Sequence, residues 1–473
     1  MKQNLIMNSK IITTGLLCIP FMSGCQGGVT AQKQNDKLPN IIYILADDLG
    51  IGDLGCYGQK KIMTPAIDQL AENGMRFTQH YSGSTVSAPS RCALLTGKHT
   101  GHTYIRGNKG YKHTDGYSYD LPLADEELTV GEILKQKDYA TACIGKWGLG
   151  GPDSEGRPNN QGFDYFFGYL GQGNAHHYYP EQLFENNTAI KLNKKIYSHD
   201  LIAEKAMNFI NNNAERPFFL YFSITLPHAE LVVPEADRLG YTDKFPETPF
   251  LGRGSYGSQE QPHATYAAMV TKIDRNVAQI VNILKEKGIY DNTIIIFTSD
   301  NGVHHEGGHD PDFFNSNGPF RGYKRDLYEG GIRTPFIVSW PSRIAKGSIS
   351  YHISAFWDFL PTVCDIIEET PPADTDGISF LPELTGKGKQ KQHQSLYFEF
   401  HEGGGKQAIL KDGWKLIRLQ VNNPQKTKLE LYNYFNDPGE VANVAKQYPD
   451  RVKELQVLMD AQRTSNENWE FKK

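Results

Sequence analysis

The sequence predicts an α/β protein: a large mixed or mostly parallel sheet flanked by helices, followed by a smaller C-terminal α+β region with an antiparallel sheet. Three continuous apolar segments, 40–46, 217–225 and 293–298, have the pattern of strands buried on both faces. Amphipathic segments alternate with them, which favours helices on both faces of the sheet. After about residue 385 the chain becomes polar and then gives short strand-like segments separated by turn residues.

Each element has its own local signal. The helix that begins near Thr64 has a residue that can cap it and Pro65 in its first turn, and the longest helix places Met269, Ile273 and Val277 on one side. In chain order we expect a strand at 40–46, helices at 64–73 and 128–137, a strand at 139–144, a helix at 201–210, a strand at 217–225, a helix at 264–286, a strand at 293–298, strands at 395–400, 406–411, 415–419 and 429–434, and a helix at 447–463.

Composition excludes several classes of protein. The 473 residues include 49 basic and 54 acidic ones, and the resulting net charge of −5 argues against a broad basic face for nucleic acid. A hydrophobic fraction of 39%, with 25 Tyr and 24 Phe, excludes global disorder. No internal apolar stretch reaches the ~18–20 residues that span a bilayer. We expect a signal peptide at 1–24, a tether at 25–37, a main domain at 38–385 and a C-terminal subdomain at 386–473.

The N-terminal segment has the pattern of an export signal. Lys2 and Lys10 precede an apolar run from Ile11 to Met22, and small residues follow. The Cys25 that comes next resembles the lipidated cysteine of a bacterial lipobox, which implies an exported protein in the periplasm or on the outer membrane, bound to the membrane by a lipid anchor only. Plain secretion with cleavage nearby is the alternative. The cysteines of the remaining chain are scattered without metal-type spacing, which predicts buried thiols.

Acidic residues follow two of the predicted strands directly. Asp47 and Asp48 end the first strand, and Asp300 and Asn301 follow the strand at 293–298. Ligand sites of open α/β sheets lie beyond the carboxyl ends of the strands. Oxygen ligands of this kind suit a hard divalent cation, Ca²⁺ or Mg²⁺. Each segment alone also fits an ordinary turn, but the two together favour a metal site.

The strongest motif is the run Ser87-Ala88-Pro89-Ser90-Arg91, continued by Cys-Ala-Leu-Leu-Thr-Gly to residue 97. This run resembles the signature of the type I sulfatases, the formylglycine-dependent branch of the alkaline phosphatase superfamily: Cys or Ser, any residue, Pro-Ser-Arg, two residues, then Leu, any residue, Thr-Gly. The resemblance extends over about residues 38–470 and implies an alkaline phosphatase-like fold. The alternative is a Ser/Pro loop that enters a helix, with Arg91 on a solvated face.

The resemblance implies a role for each matching residue. Ser87 would be oxidised to formylglycine, whose hydrated aldehyde supplies a hydroxyl nucleophile. Arg91 would hold the nucleophile and the metal shell with its planar, permanently charged fork. The metal, Ca²⁺ in most of the family, would be bound by the modified Ser87 together with Asp47, Asp48, Asp300 and Asn301.

A second motif, Gly-Lys-Trp-Gly-Leu-Gly at 145–150, resembles the next sulfatase motif and implies that Lys146 binds sulfate oxygens and the nucleophile. The family often has His where this chain has Gly148. That histidine helps expel sulfate from the covalent intermediate. Either another histidine replaces it here, or water and Lys146 suffice; the candidates are His99, His102, His176 and His177.

The remaining catalytic matches follow a strand and a glycine-rich loop. The Pro-His pair at 227–228 implies that His228 protonates the leaving alcohol, since a neutral alcohol leaves more easily than an alkoxide. Lys324 aligns with the second sulfate-binding lysine, whereas Glu329 and Arg333 look structural. The implied reaction is in-line attack on sulfur, collapse of the covalent sulfate ester back to the aldehyde, and rehydration.

A serine at position 87 implies, by family resemblance, an anaerobic sulfatase-maturing enzyme as a partner in biosynthesis, and a host of the Bacteroides kind that degrades glycans. Polar and aromatic loops near the motifs suit a sulfated glycan substrate, with Arg106, Asn108, His176 and His177 as the expected substrate-binding residues; loop packing is the alternative for each. A run at 317–320 resembles galactosamine-6-sulfate sulfatases and implies galactose or N-acetylgalactosamine 6-O-sulfate.

Other functions stay open at this stage. The substrate could be another sulfated sugar, such as a glucosamine 6-O-sulfate or a galactose 4-O- or 3-O-sulfate. A phosphomonoester or phosphonate hydrolase of the same superfamily would use the same acidic strand ends, but a two-metal phosphatase would need additional His and Asp ligands. If Ser87 were never oxidised, the protein would be a non-catalytic binder of sulfated glycans.

Overall fold

The computed structural model describes residues 37–471. The predicted signal peptide and the predicted lipidation at Cys25 lie outside the described residues. Between residues 37 and 471, no helix combines the length and the apolar character needed to cross a membrane. The predicted class is confirmed: a large mixed sheet is flanked by helices, and a separate four-stranded antiparallel sheet lies in the C-terminal region.

The strands have the following bounds. In chain order they are β1 (Asn40–Ala46), β2 (Met75–Phe77), β3 (His80–Tyr81), β4 (Gly110–Lys112), β5 (Ser118–Asp120), β6 (Ala140–Lys146), β7 (Tyr165–Tyr169), β8 (Gln182–Glu185), β9 (Thr188–Lys191), β10 (Phe218–Ser223), β11 (Thr293–Ser299), β12 (Phe336–Ser339), β13 (Ser348–Ser350), β14 (Ser354–Ala355), β15 (Leu396–Phe400), β16 (Lys406–Lys411), β17 (Trp414–Leu419) and β18 (Lys428–Asn433).

The α-helices are α1 (Pro65–Glu72), α2 (Ser87–Thr96), α3 (Val130–Lys135), α4 (Ser198–Asn213), α5 (Glu235–Arg238), α6 (Pro262–Glu286), α7 (Pro311–Phe314), α8 (Glu329–Ile332), α9 (Phe359–Ile366), α10 (Leu381–Thr385) and α11 (Pro449–Asp460). Short 3₁₀ helices span Ile51–Asp53, Gly55–Tyr57, Asn174–His176, Tyr290–Asn292 and Phe356–Asp358.

The large sheet has the order β13-β2-β12-β11-β1-β10-β6-β7-β8-β9. Its centre, from β11 through β1, β10 and β6 to β7, is parallel, whereas β12 and β8 run antiparallel to their inner neighbours. Because parallel neighbours end at the same edge, the carboxyl ends of β1, β6, β10 and β11 face one region. That edge carries the acidic residues and Lys146.

Side chains of the central strands alternate between two apolar layers. Ile42 and Ile44 of β1 pack in one layer with α1, α4 and α6, whereas Ile41 and Tyr43 pack in the other with α2, α3 and α9. Burial on both faces explains why these strands are continuously apolar.

The small sheet has the order β15-β16-β17-β18 and is antiparallel throughout. One face packs against α11 around Leu455 and Met459. The other face, with Leu396 and Phe398, shares a buried cluster with Tyr81 and Val86, which directly precedes α2. This cluster joins the two parts of the chain in one compact body. The division into two domains at residue 385 therefore stays a prediction from the sequence.

Candidate active site

The acidic residues come together because β1 and β11 are neighbouring parallel strands. The Asp48 backbone N–H donates to Asp300 Oδ1 at 3.1 Å, and Asn301 Nδ2 donates to Asp48 Oδ1 at 2.7 Å. Asp48 adopts a left-handed conformation with φ of 62°, which turns the chain sharply after the strand. The carboxylates of Asp47, Asp48 and Asp300 are fully buried.

Ser87 is the first residue of α2 and lies against this acidic group. Its Oγ donates to Asp47 Oδ1 at 3.1 Å. Lys146, the last residue of β6, donates from Nζ to Ser87 Oγ at 3.1 Å and to Asp47 Oδ2 at 2.7 Å. The N-terminus of the ten-residue helix adds a positive field at Ser87, so the position favours an oxygen that gains negative charge.

Arg91 lies one turn further along α2 and is completely buried. Its guanidinium donates to Asp300 Oδ2 at 2.9 Å and to the Lys146 carbonyl at 3.0 Å, and it contacts Ser223 Oγ. Burial opposes its charge, but the Tyr221 phenol and the Asp300 carboxylate raise the pKa of Arg91 above its usual value. Arg91 therefore stays charged and connects α2 to the ends of three strands.

His228 and Lys324 form the other side of the site. Lys324 Nζ donates to Asp48 Oδ2 at 2.7 Å and lies 2.9 Å from His228 Nε2. His228 Nδ1 faces the Ala229 carbonyl oxygen. Burial, followed by the positive charge of Lys324, holds the pKa of His228 well below its usual range. The ring is accordingly neutral here, with Nδ1–H directed at the carbonyl and Nε2 directed into the site.

The oxygen atoms of this cluster fit a hard divalent cation. Asp47, Asp48 and Asp300 supply carboxylates, and Asn301 Oδ1 is buried without a hydrogen-bond partner. Burial and the nearby charge of Asp47 raise the pKa of Asp300 to about 6. A cation would satisfy the amide oxygen and relieve the repulsion among the carboxylates.

A second cation beside the first would have to be bound by groups that already have other partners. His304 and Glu306 lie near Asp48, but His304 Nε2 is 3.1 Å from the Pro227 carbonyl oxygen and Nδ1 accepts from the Glu306 N–H at 3.0 Å. Because both ring nitrogens are engaged and Lys324 occupies the space beside Asp48, this arrangement disfavours a two-metal phosphatase.

Two expected substrate-binding residues are not in contact with the cluster. Arg106 is buried and donates to the Thr103 carbonyl oxygen and to both oxygens of Thr464. It also lies 3.5 Å from a Glu399 carboxylate oxygen, so its contacts are those of a structural anchor. Asn108 is exposed, and its Oδ1 accepts from Gln172 Nε2 at 3.2 Å.

The four candidate histidines divide into two pairs. His99 and His102 stack on each other and face Asp376. The His176 ring stacks on His228 with centroids 4.5 Å apart, and its neighbour His177 lies 3.5 Å from a carboxylate oxygen of Glu230. Burial, with the charges of two lysines, lowers the pKa of His176 to about 3. Of the four, His176 is the one whose ring contacts His228.

Gly148 has a neighbour that motif reasoning missed. A Cβ atom at this position would lie 3.0 Å from Gln172 Cγ, and the backbone φ is 79°. The Gln172 side chain donates to Asp120 Oδ1 at 2.9 Å.

Sequence reasoning also missed Ser223, which contacts Arg91, and Tyr256 and Glu306, which hydrogen-bond to each other at the rim. For Ser223 the one available signal was its place near the carboxyl end of the predicted strand at 217–225, where β10 ends.

Comparison with known proteins decides the family. The family model described as Sulfatase matches residues 39–368. The chain belongs to the sulfatase family. A second model, described as N-sulphoglucosamine sulphohydrolase, C-terminal, matches residues 319–465 of this sulfatase, from the Lys324 loop through the small sheet. The protein is therefore a sulfuric ester hydrolase.

Characterised relatives resemble the sulfatase over most of its length. An N-acetylgalactosamine-6-O-sulfatase from Bacteroides thetaiotaomicron is 31% identical over 94% of this chain and 97% of its own. The structure of Ps i-CgsB in complex with k-i-k-neocarrahexaose has a TM-score of 0.77 at 27% identity and covers 92% of this chain and 95% of its own. A protein in complex with its substrate D-glucosamine-2-N,6-O-disulfate has a TM-score of 0.73 at 26% identity and covers 90% and 97%.

Proposed function

We propose that the protein is a carbohydrate sulfatase that removes 6-O-sulfate from galactose or N-acetylgalactosamine in host glycans, using a formylglycine made from Ser87 and a bound Ca²⁺, which Mg²⁺ could replace. The observation that carries the proposal is the meeting of Ser87 Oγ, Lys146 Nζ and Asp47 within hydrogen-bond distance at the start of α2. The 31% identity to an N-acetylgalactosamine-6-O-sulfatase supports the choice of sugar.

Each residue of the site has a separate role in the proposed reaction. The hydrated aldehyde supplies the nucleophilic hydroxyl, and the cation supplies charge stabilisation at the oxygens it binds. Lys146 and Lys324 bind the sulfate oxygens from two sides, and Arg91 fixes α2 against Asp300. The side chains of Lys146, Lys324 and Arg91 thus concentrate positive charge at one place in a chain of net negative charge.

His228 acts on the leaving group. The Lys324 ammonium donates to Nε2 when the site is free of substrate. A sulfate ester beside Lys324 attracts the ammonium and favours a protonated ring, because a nearby anion raises a histidine pKa. His228 then gives its Nε2 proton to the departing sugar oxygen, while the Ala229 carbonyl holds Nδ1–H.

A panel of esters tests the proposal. Protein co-expressed with an anaerobic sulfatase-maturing enzyme is assayed for sulfate release from galactose and N-acetylgalactosamine 6-O-sulfates, from glucosamine 6-O-sulfate, from galactose 3-O- and 4-O-sulfates, and for phosphate release from the matching phosphates. We expect the first pair to react fastest and Ser87→Ala to abolish release. Ser465→Ala, a change at an exposed serine, is the matched control. Faster phosphate release would contradict the proposal, and binding without any turnover by the matured protein would indicate a glycan-binding protein.

We further propose export of the protein with a lipid anchor on Cys25. The support is the sequence of the N-terminal segment, with Lys2, Lys10 and the apolar run before the cysteine. A Cys25→Ser variant should leave the membrane fraction of the native host while the parent protein stays in it; equal partition of the two would contradict the anchor.

A further inference from the structure

A cleft of about 400 Å³ opens beside the catalytic histidine and takes no part in the chemistry described above. Its size is within the range of ligand-binding pockets. The residues that line it are Tyr117, Asn174, His177, Tyr179, Pro180, Glu181, Gln182, Lys194 and Glu230.

Two lining residues of the cleft are close in sequence to residues of the catalytic site. His177 follows His176, whose ring stacks on His228. Glu230 follows His228 by two residues, a distance of at most about 7 Å along the chain, and its N–H donates to the His176 carbonyl oxygen at 3.2 Å. The cleft therefore begins on the side of the site where His228 would protonate the departing sugar.

A β-hairpin also contributes to the lining of the cleft. Tyr117 lies in the turn between β4 and β5, and Asp120 at the end of β5 accepts from the backbone N–H of Gln172 at 2.9 Å. This contact fixes the hairpin to the loop that carries His176. The half-buried Tyr117 ring is thus held at the edge of the cleft.

The chemistry of the lining suits a neutral sugar. Tyr117, Tyr179 and Pro180 offer apolar faces for the C–H face of a pyranose, and Asn174 and Gln182 offer amide groups for its hydroxyls. The two carboxylates, on Glu181 and Glu230, face the Lys194 ammonium and the His177 ring, which lies 3.5 Å from a Glu230 carboxylate oxygen. The lining thus has no excess of positive charge, and a second sulfate or a uronate would lose its hydration here without a cation in return, in contrast to the catalytic site with its lysines.

We propose that this cleft binds an uncharged sugar unit linked to the sulfated sugar, so that the enzyme recognises at least a disaccharide. The inference rests on the proposed function, because it requires the sulfated sugar to be the leaving group beside His228.

The experiment compares two substrates in matured enzyme. The first is galactose 6-O-sulfate; the second is the same sulfated galactose linked to an unsulfated N-acetylglucosamine. We expect Tyr117→Ala to lower the ratio of kcat/KM for the disaccharide to that for the monosaccharide by about tenfold, since one aromatic contact is lost. Asn174→Ala is a second variant with the same expected direction. Tyr351→Ala, at a tyrosine that is 72% exposed and is not among the lining residues, is the matched control.

The outcomes separate the two proposals. An unchanged ratio in both Tyr117→Ala and Asn174→Ala, with sulfate still released, overturns the cleft and leaves the proposed function standing. No release by the parent enzyme from either substrate, or from the same two substrates with N-acetylgalactosamine 6-O-sulfate in place of the galactose, contradicts the proposed function and this inference with it. A disaccharide that carries a second sulfate on the N-acetylglucosamine should react more slowly than the unsulfated one, and faster reaction would contradict the neutral-sugar assignment.

Discussion

Replacing Lys415 with Met tests the buried charge cluster that joins the small sheet to the catalytic loop. The Lys415 ammonium is fully buried and lies 3.1 Å from Glu329 Oε1 and 2.9 Å from Glu440 Oε1. Glu329 also accepts from Arg333 at 3.0 Å. Two carboxylates and two cations therefore balance each other away from water. Lys415→Met leaves one negative charge in excess.

The expected loss follows from burial. Removing one partner of a buried ion pair costs about 3–5 kcal/mol where the remaining charge stays uncompensated. Burial raises the pKa of Glu440 to about 7, so this carboxyl group takes up a proton more easily once the ammonium is gone, and the expected cost lies at the lower end of that range. Glu329 begins α8, and the Gly331 carbonyl of that helix accepts from the Gly302 N–H beside Asn301 at 3.0 Å. The same substitution should therefore lower kcat through movement of α8 and of the segment that carries Asn301.

Urea unfolding followed by tryptophan fluorescence measures the effect. Lys411→Met is the matched control in the same sheet, because Lys411 forms a solvent-accessible pair with Glu454 at 3.3 Å, and the loss of such a pair changes the unfolding free energy much less than the loss of a buried one. The double variant Lys415→Met/Glu440→Gln restores charge balance and should recover much of the loss. A Lys415→Met variant no less stable than the Lys411→Met control would refute the reasoning.

Three further predictions concern the metal, pH and a structural anchor. Treatment with EDTA should abolish sulfate release and added Ca²⁺ should restore it, because the carboxylates repel each other without a cation; full activity after verified metal removal would contradict this. Burial lowers the pKa of His393, but Asp358, 2.8 Å from Nε2, raises it above 6.5. The contribution of His393 to the unfolding free energy is therefore complete below pH 6.5 and is lost as pH rises through the pKa of the folded state. In urea unfolding at a series of pH values, His393→Gln should make the unfolding free energy fall less steeply over this range. The same dependence of unfolding free energy on pH in variant and parent would contradict the prediction. Arg106→Met should lower the unfolding free energy by about 1–3 kcal/mol, because the hydrogen bonds from the buried guanidinium to Thr103 and Thr464 are lost while Glu399 keeps its ion pair with Arg463, and KM should change little; a large rise in KM at unchanged stability would instead assign Arg106 to substrate binding.

The central strands were predictable because their environment is uniform. The segment 40–46 was predicted as a strand, and β1 spans Asn40–Ala46, since a strand buried on both faces is apolar at every position. The short strands β7 and β12 were not predicted. Their four or five residues are too few for a periodic signal, and β12 is held in place by antiparallel pairing with β11.

The site was predictable where a motif or a strand end marked it. Asp47, Asp48, Asp300 and Asn301 were chosen because they follow buried strands, and the structure brings all four together. The burial of Arg106 depends on Thr464, 358 residues away, which no local pattern reveals. The same holds for Gln172 beside Gly148, whose position depends on a hairpin packed against its loop.

Mass spectrometry of the Ser87 peptide, combined with sulfate release by the same sample, tests the central claim most directly. In protein purified from its native host, we predict a loss of about 2 Da at Ser87, because an alcohol becomes an aldehyde. Hydrolysis of a 6-O-sulfated sugar should rise in proportion to the modified fraction. Sulfate release from protein in which Ser87 is entirely unmodified would contradict the account.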